Sequence, residues 1–159
     1  METALLVAVI GAAVGLVLNL LNQRQNALER RRRACADALA DALRWLELPY
    51  RIRRRTDDNL ETLGALAGRI HDLQERHEFH ASWLRIEVPR AHESYAALIA
   101  GVRANAKDSM RDAWELPPID KAADMNLMAA FPRLPGVDDL TVSFSDTVKA
   151  ELALWKFWQ

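Results

Sequence analysis

Between Ala4 and Leu21 the chain reads ALLVAVIGAAVGLVLNLL, eighteen residues with no charge and one strongly polar member, Asn19. Every helical face of this stretch is apolar. At about 1.5 Å of rise per residue it reaches roughly 27 Å, near the hydrocarbon thickness of a bilayer. The pattern predicts a transmembrane anchor over residues 1–23. A cleaved signal peptide would carry a basic leader and a small-x-small cleavage site. Here Met1-Glu2-Thr3 precedes the stretch and Asn22-Gln-Arg-Gln-Asn follows it, so an uncleaved anchor is expected.

From Asn22 onward apolar residues recur at helical spacing instead. Leu28, Cys35, Leu39, Ala42 and Leu46 form one face, which predicts a neck helix to Glu47. No Gly or Pro separates it from the anchor. Pro49 is expected to end it, leaving Tyr50–Arg55 as a basic connector. Thr56-Asp57-Asp58 reads as a capped helix start. Leu60, Leu63, Leu66, Ala67, Ile70 and Leu73 would be the buried side of that helix, which runs to about Glu87. Pro89 opens the next helix or kinks the same one. Tyr95, Leu98, Ile99, Val102, Ala106, Met110 and Trp114 carry the pattern to Glu115, before the break at Pro117-Pro118. A short helix near Asp120–Ala130, a loop through Pro132, Pro135 and Gly136, and a last helix from Ser145-Asp146 to Trp158 complete the chain. Val142-Ser-Phe144 alternates like a strand but has no partner. The expected fold class is all-α: one N-terminal transmembrane helix continuing into a basic neck helix, then a cytoplasmic helical domain. Its parts are the anchor 1–23, neck and connector 24–55, and helical domain 56–159.

Charge sharpens this picture. Asn22 to Arg55 holds ten arginines against four acidic residues, whereas the remainder has eleven basic and seventeen acidic ones. A basic neck therefore borders an acidic body. Arg24 and Arg30–Arg33 follow the anchor and nothing basic precedes it. The positive-inside rule then places the N-terminus outside and the rest in the cytoplasm. The lone Cys35 would be a reduced thiol.

Small residues are not spread evenly round the anchor. Ala8, Gly11, Ala12, Gly15 and Asn19 share one face, with Gly11 and Gly15 in the G-x-x-x-G spacing that lets helix backbones approach. With one span in the chain, the natural partner is another copy of itself. If the helix is continuous, this face extends through Asn22, Asn26, Arg30, Arg33, Asp37 and Arg44, and the first four would gather in a vestibule able to attract anions. The arginine run also suits anionic lipid or a nucleotide-like, phosphate-bearing regulator. A nucleic acid duplex is not expected as a partner.

Catalytic chemistry has little support. His77-Glu-Phe-His80 is not H-E-x-x-H and no third metal ligand is indicated. Its reading is a solvated helix face. Asp57/Asp58 and Asp138/Asp139 read as helix-start and loop residues. Neither a phosphate loop nor a nucleophile elbow is present, so no enzyme, cofactor or metal is expected. The terminal Trp155, Phe157 and Trp158 are read as packing residues.

The anchor ALLVAVIGAAVGLVLNLL, the Arg-rich neck and the compact helical remainder together resemble the small membrane effectors of bacterial antiphage systems (CBASS-type or Hailong-type). That resemblance implies oligomerisation and permeabilisation of the inner membrane, often under a nucleotide signal. In size and single N-terminal span the chain also resembles phage inner-membrane spanins. Those place their helices in the periplasm, against the charge pattern here. The expected function is a homo-oligomeric ion channel or membrane-permeabilising effector controlled by its helical domain. The alternative is a membrane-tethered scaffold for a cytoplasmic partner.

Overall fold

The computed structural model describes residues 2–125 and 136–154, with the side chains of residues 2–10, 12, 122, 123 and 154 outside that description. Among the described residues the fold is all-helical and contains no strand. Helix α1 (Glu2–Arg44) is followed by a 3-10 turn (Trp45–Glu47) and the short α2 (Leu48–Arg53). Helices α3 (Leu60–Glu87) and α4 (Pro89–Glu115) come next, then a 3-10 turn (Ala122–Met125) and α5 (Val137–Leu154).

Helix α1 runs without interruption from the apolar stretch into the body, about 65 Å at the usual rise. Pro49 does not end the neck as expected; it sits in the first turn of α2. Proline lacks an N–H and crowds the carbonyl four residues back, so the α-helix gives way to the 3-10 turn one step earlier. The connector expected over Tyr50–Arg55 is thus mostly helical. Thr56 does not cap α3 either. Asp58 is drawn to Arg55 Nε at 2.5 Å, and the cap falls on Asn59, whose Oδ1 accepts the Thr62 N–H at 2.8 Å.

At the α3–α4 junction Val88 leaves the helical region (φ −144°, ψ 63°), as residues before proline do. Pro89 then opens α4. The Ala91 N–H, in the first turn of α4, donates to the buried Glu151 of α5 at 3.2 Å. A carboxylate there favours the positive end of the helix dipole.

The core is built from Cys35, Ala38 and Ala42 of α1, Leu84 of α3, and Tyr95, Leu98 and Val102 of α4, closed by Phe144 of α5. Helix α5 begins at Val137, eight residues before the expected Ser145, after Gly136 turns the chain with φ +102°. Val142–Phe144 is therefore helical, and Phe144 packs its ring 5.5 Å from Tyr95. Ser145 lies in mid-helix and donates to the Thr141 carbonyl. Gly101 is required for the approach of α5: a Cβ there would collide with Leu140 Cδ1. The face expected to be buried on α3 is covered only in part. Leu63, Leu66, Ile70 and Leu73 are half-buried, but Leu60 is 90% exposed and Ala67 is also outside. The helix expected near Asp120–Ala130 is a 3-10 turn to Met125. Its remainder, with the loop prolines and Trp155, Phe157 and Trp158, lies outside the described residues.

Candidate functional site

Two arrangements on α1 bear on function. The first is its unpacked half. Val14, Leu16, Val17, Leu18, Leu20 and Leu21 are each between 47% and 61% exposed. A Cβ on Gly11 or Gly15 would meet nothing within 4 Å. Asn19, Asn22, Asn26, Arg30 and Arg33 are exposed as well, while the side chains of Ala8 and Ala12 are outside the description. At 100° per residue this stripe lies roughly 170° around α1 from Leu28, Cys35, Ala38 and Ala42, which pack on the body. Among the described residues, no helix is long and apolar enough to cross a membrane. The stretch Ala4–Leu21 falls partly on the undescribed side chains.

The arginine run is divided by the same geometry. Arg31 turns inward and donates through Nη2 (2.8 Å) and Nε (3.1 Å) to Glu87 Oε2, tying the neck to the end of α3. Arg30 and Arg33 point the other way. Cys35 faces the core, where burial and then the Glu151 charge push its thiol up to about 11. It stays protonated at neutral pH.

The second arrangement is a buried polar cluster where α1 crosses α3. Asp41 is fully enclosed. Its Oδ2 accepts Arg76 Nε at 2.7 Å and His80 Nε2 at 2.9 Å, and its Oδ1 accepts Arg44. Its main-chain carbonyl accepts His77 Nε2–H at 3.1 Å. Burial works to raise the Asp41 carboxyl. The His80 and Arg76 hydrogen bonds, with the Arg76 and Arg44 charges, outweigh it and hold the group below the usual carboxylate range. Tyr95 closes the inner side, its hydroxyl without a hydrogen-bond partner among the described residues and its ring edge-on to His80. Burial, then the Asp41 charge, raises that phenol.

His77 and His80 are thus not on a solvated face; both are buried. They extend the seam of Ile70, Leu73 and Leu84 along α3, at the alternating three- and four-residue spacing of a buried helix face. Chemically the cluster is a ring of donors round one carboxylate. Among the described residues no group of three or more His, Cys, Asp or Glu is placed to hold a metal ion.

The cluster makes stability pH-dependent. Among the described residues His77 Nδ1 has no partner, and a proton there would be a buried cation, so desolvation lowers its pKa, followed by a smaller opposing effect from its bond to Asp41. The unfolded chain takes up that proton near the ordinary histidine value of about 6.5, where the folded chain does not. Stability therefore falls as pH drops below that value. Asp41 acts only in the more acidic carboxylate range. Urea midpoints at pH 7.5 and 5.0 should show the wild type weaker at 5.0, and His77→Gln should remove much of that difference.

Compared with protein-family models, curated proteins and solved structures, the chain matches none.

Proposed function

We propose that this chain is a single-pass membrane protein that assembles with copies of itself through the small-residue face of α1 and forms a pore whose state follows the helical body. The observation that carries this reading is the opposition of the two faces of α1. The stripe of Gly11, Gly15, Asn19, Asn22, Asn26, Arg30 and Arg33 is exposed and points away from the body. Several copies could therefore gather these stripes about one axis with their bodies outside. Apolar surface on the rest of the helix would meet lipid, which needs no further protein. The positive ends of the stripes would then form a ring of Arg30 and Arg33 at the inner mouth, selecting anions.

The test is the mass of detergent-extracted full-length protein by light scattering, followed by conductance in planar bilayers. Four or more copies, reduced to monomers by Gly11→Leu with Gly15→Leu, and an anion-selective current are expected. Leucine at these positions would hold the backbones apart. A monomer or dimer indifferent to those substitutions would remove the pore and leave a tethered adaptor.

A further inference from the structure

At the opposite end of α1 from the apolar stretch, α2 and the start of α3 enclose a cleft of about 520 Å³. Four arginines line it, Arg51, Arg54, Arg55 and Arg69, with one carboxylate, Glu47. Their roles separate cleanly. Arg55 is buried and spends its donors on Asp58 and on the carbonyls of Ile52, Ala113, Trp114 and Leu116. Arg54 donates through Nε to the Met125 carbonyl at 3.1 Å and lies over the Tyr50 ring. Arg53 donates to the Pro117 carbonyl at 2.9 Å. These bonds pin the end of α2 to the segment after α4, so the cleft wall is fixed in advance.

Arg51 and Arg69 stand apart. Both are exposed, both line the cleft, and they come from different helices. Among the described residues neither makes a hydrogen bond or ion pair. Glu47, one turn before Arg51, does not pair with it. Arg51 and Arg69 thus line one space together with Arg54, and neither is neutralised by the Glu47 carboxylate that lines it too. Leu66 and Ala65 form an apolar wall beside them.

We infer that this cleft binds a small phosphorylated organic molecule, its phosphate between Arg51 and Arg69 and its apolar or planar part against Leu66. Guanidinium forks match phosphate oxygens in pairs, and helices held in place lose little freedom on binding. The cleft lies about 35 Å along α1 from Leu21, so a phosphate in a bilayer holding residues 4–21 would not reach it. On the proposed membrane reading of α1, the source is therefore a soluble molecule. The cleft keeps this chemistry whether or not α1 spans a membrane.

Titration calorimetry on the full-length protein in neutral detergent tests this, with phenyl phosphate, inorganic pyrophosphate and dioctanoyl phosphatidic acid as probes. Saturable binding of phenyl phosphate or pyrophosphate is expected, weakened about tenfold or more by each of Arg51→Gln and Arg69→Gln. Both side chains are exposed, so melting should not change. Arg90→Gln, at an exposed position on α4 outside the cleft, should leave the affinity intact. Absent binding, or binding insensitive to Arg51 and Arg69, would overturn the site. Binding of the phosphatidic acid alone would overturn the assignment to a soluble ligand.

Discussion

Arg55→Ala should destabilise the folded body by about 3–4 kcal/mol, a large share of the 5–15 kcal/mol typical of a domain. The Arg55 side chain is 4% exposed. Its Nη1 reaches the Ala113 carbonyl at 2.8 Å and its Nη2 the Leu116 carbonyl at 2.5 Å, both at the C-terminal end of α4. Those carbonyls have no helical N–H to accept and would be left without a donor, at about 1 kcal/mol or more each. A cation at the negative end of the helix dipole adds to the effect. The guanidinium also lies 5.6 Å from the Trp114 ring centre. Arg55→Lys keeps the charge but supplies one ammonium for a fan of carbonyls, so it should recover less than half of the loss. Arg55→Met keeps only the apolar stem. Urea unfolding followed by tryptophan fluorescence would order the variants as wild type, Lys, then Met and Ala. A lysine variant as stable as wild type would mean that charge alone matters.

Asp41→Ala should cost about 3 kcal/mol, near the low end for a buried charged pair that loses one partner. Arg44 and Arg76 are each more than half exposed at the side chain (56% and 53%) and can turn to water when their acceptor goes. His80, at 8%, cannot. The burden of the substitution falls on that imidazole and on the space left behind. Arg44→Ala removes an exposed member of the same group and should change stability by less than about 1 kcal/mol. Comparing the two in urea separates the buried acceptor from its peripheral donor. Equal effects would mean that Asp41 is not the centre of the cluster.

The helical class, the continuity of α1 past Leu21 and the α3–α4 break at Pro89 were readable from spacing and proline alone. Leu28, Cys35, Leu39, Ala42 and Leu46 did form the face that meets the body, with Leu28 and Leu39 half-buried. What spacing could not show was competition between partners. Asp58 fits a helix start until Arg55 takes it, which moves the cap to Asn59. His77 and His80 were assigned to water by their polarity. Their positions continue the Ile70, Leu73 and Leu84 seam, and extending that seam by one more heptad would have placed them inside. Asp41, next to the buried Ala42, carried the matching signal on α1. Ser145-Asp146 resembles a helix cap, which puts the expected start of α5 at Ser145, whereas the helix begins at Val137 and carries Phe144 against Tyr95. The cleft between α2 and α3 had no sequence signature beyond its arginines, since the placing of Arg51 and Arg69 on one cleft is a tertiary fact.

The unbroken path of α1 from Gly11 to the core fixes a phase relation between two surfaces that never touch. One residue inserted between Leu21 and Leu28 would rotate the glycine stripe by about 100° relative to the body and bring part of it beneath the same chain's bulk. Two would rotate it by about 200°. Seven would return it to within about 20°. The six-residue link between Leu21 and Leu28 therefore acts as an angular gauge: its length sets which way the glycine stripe faces.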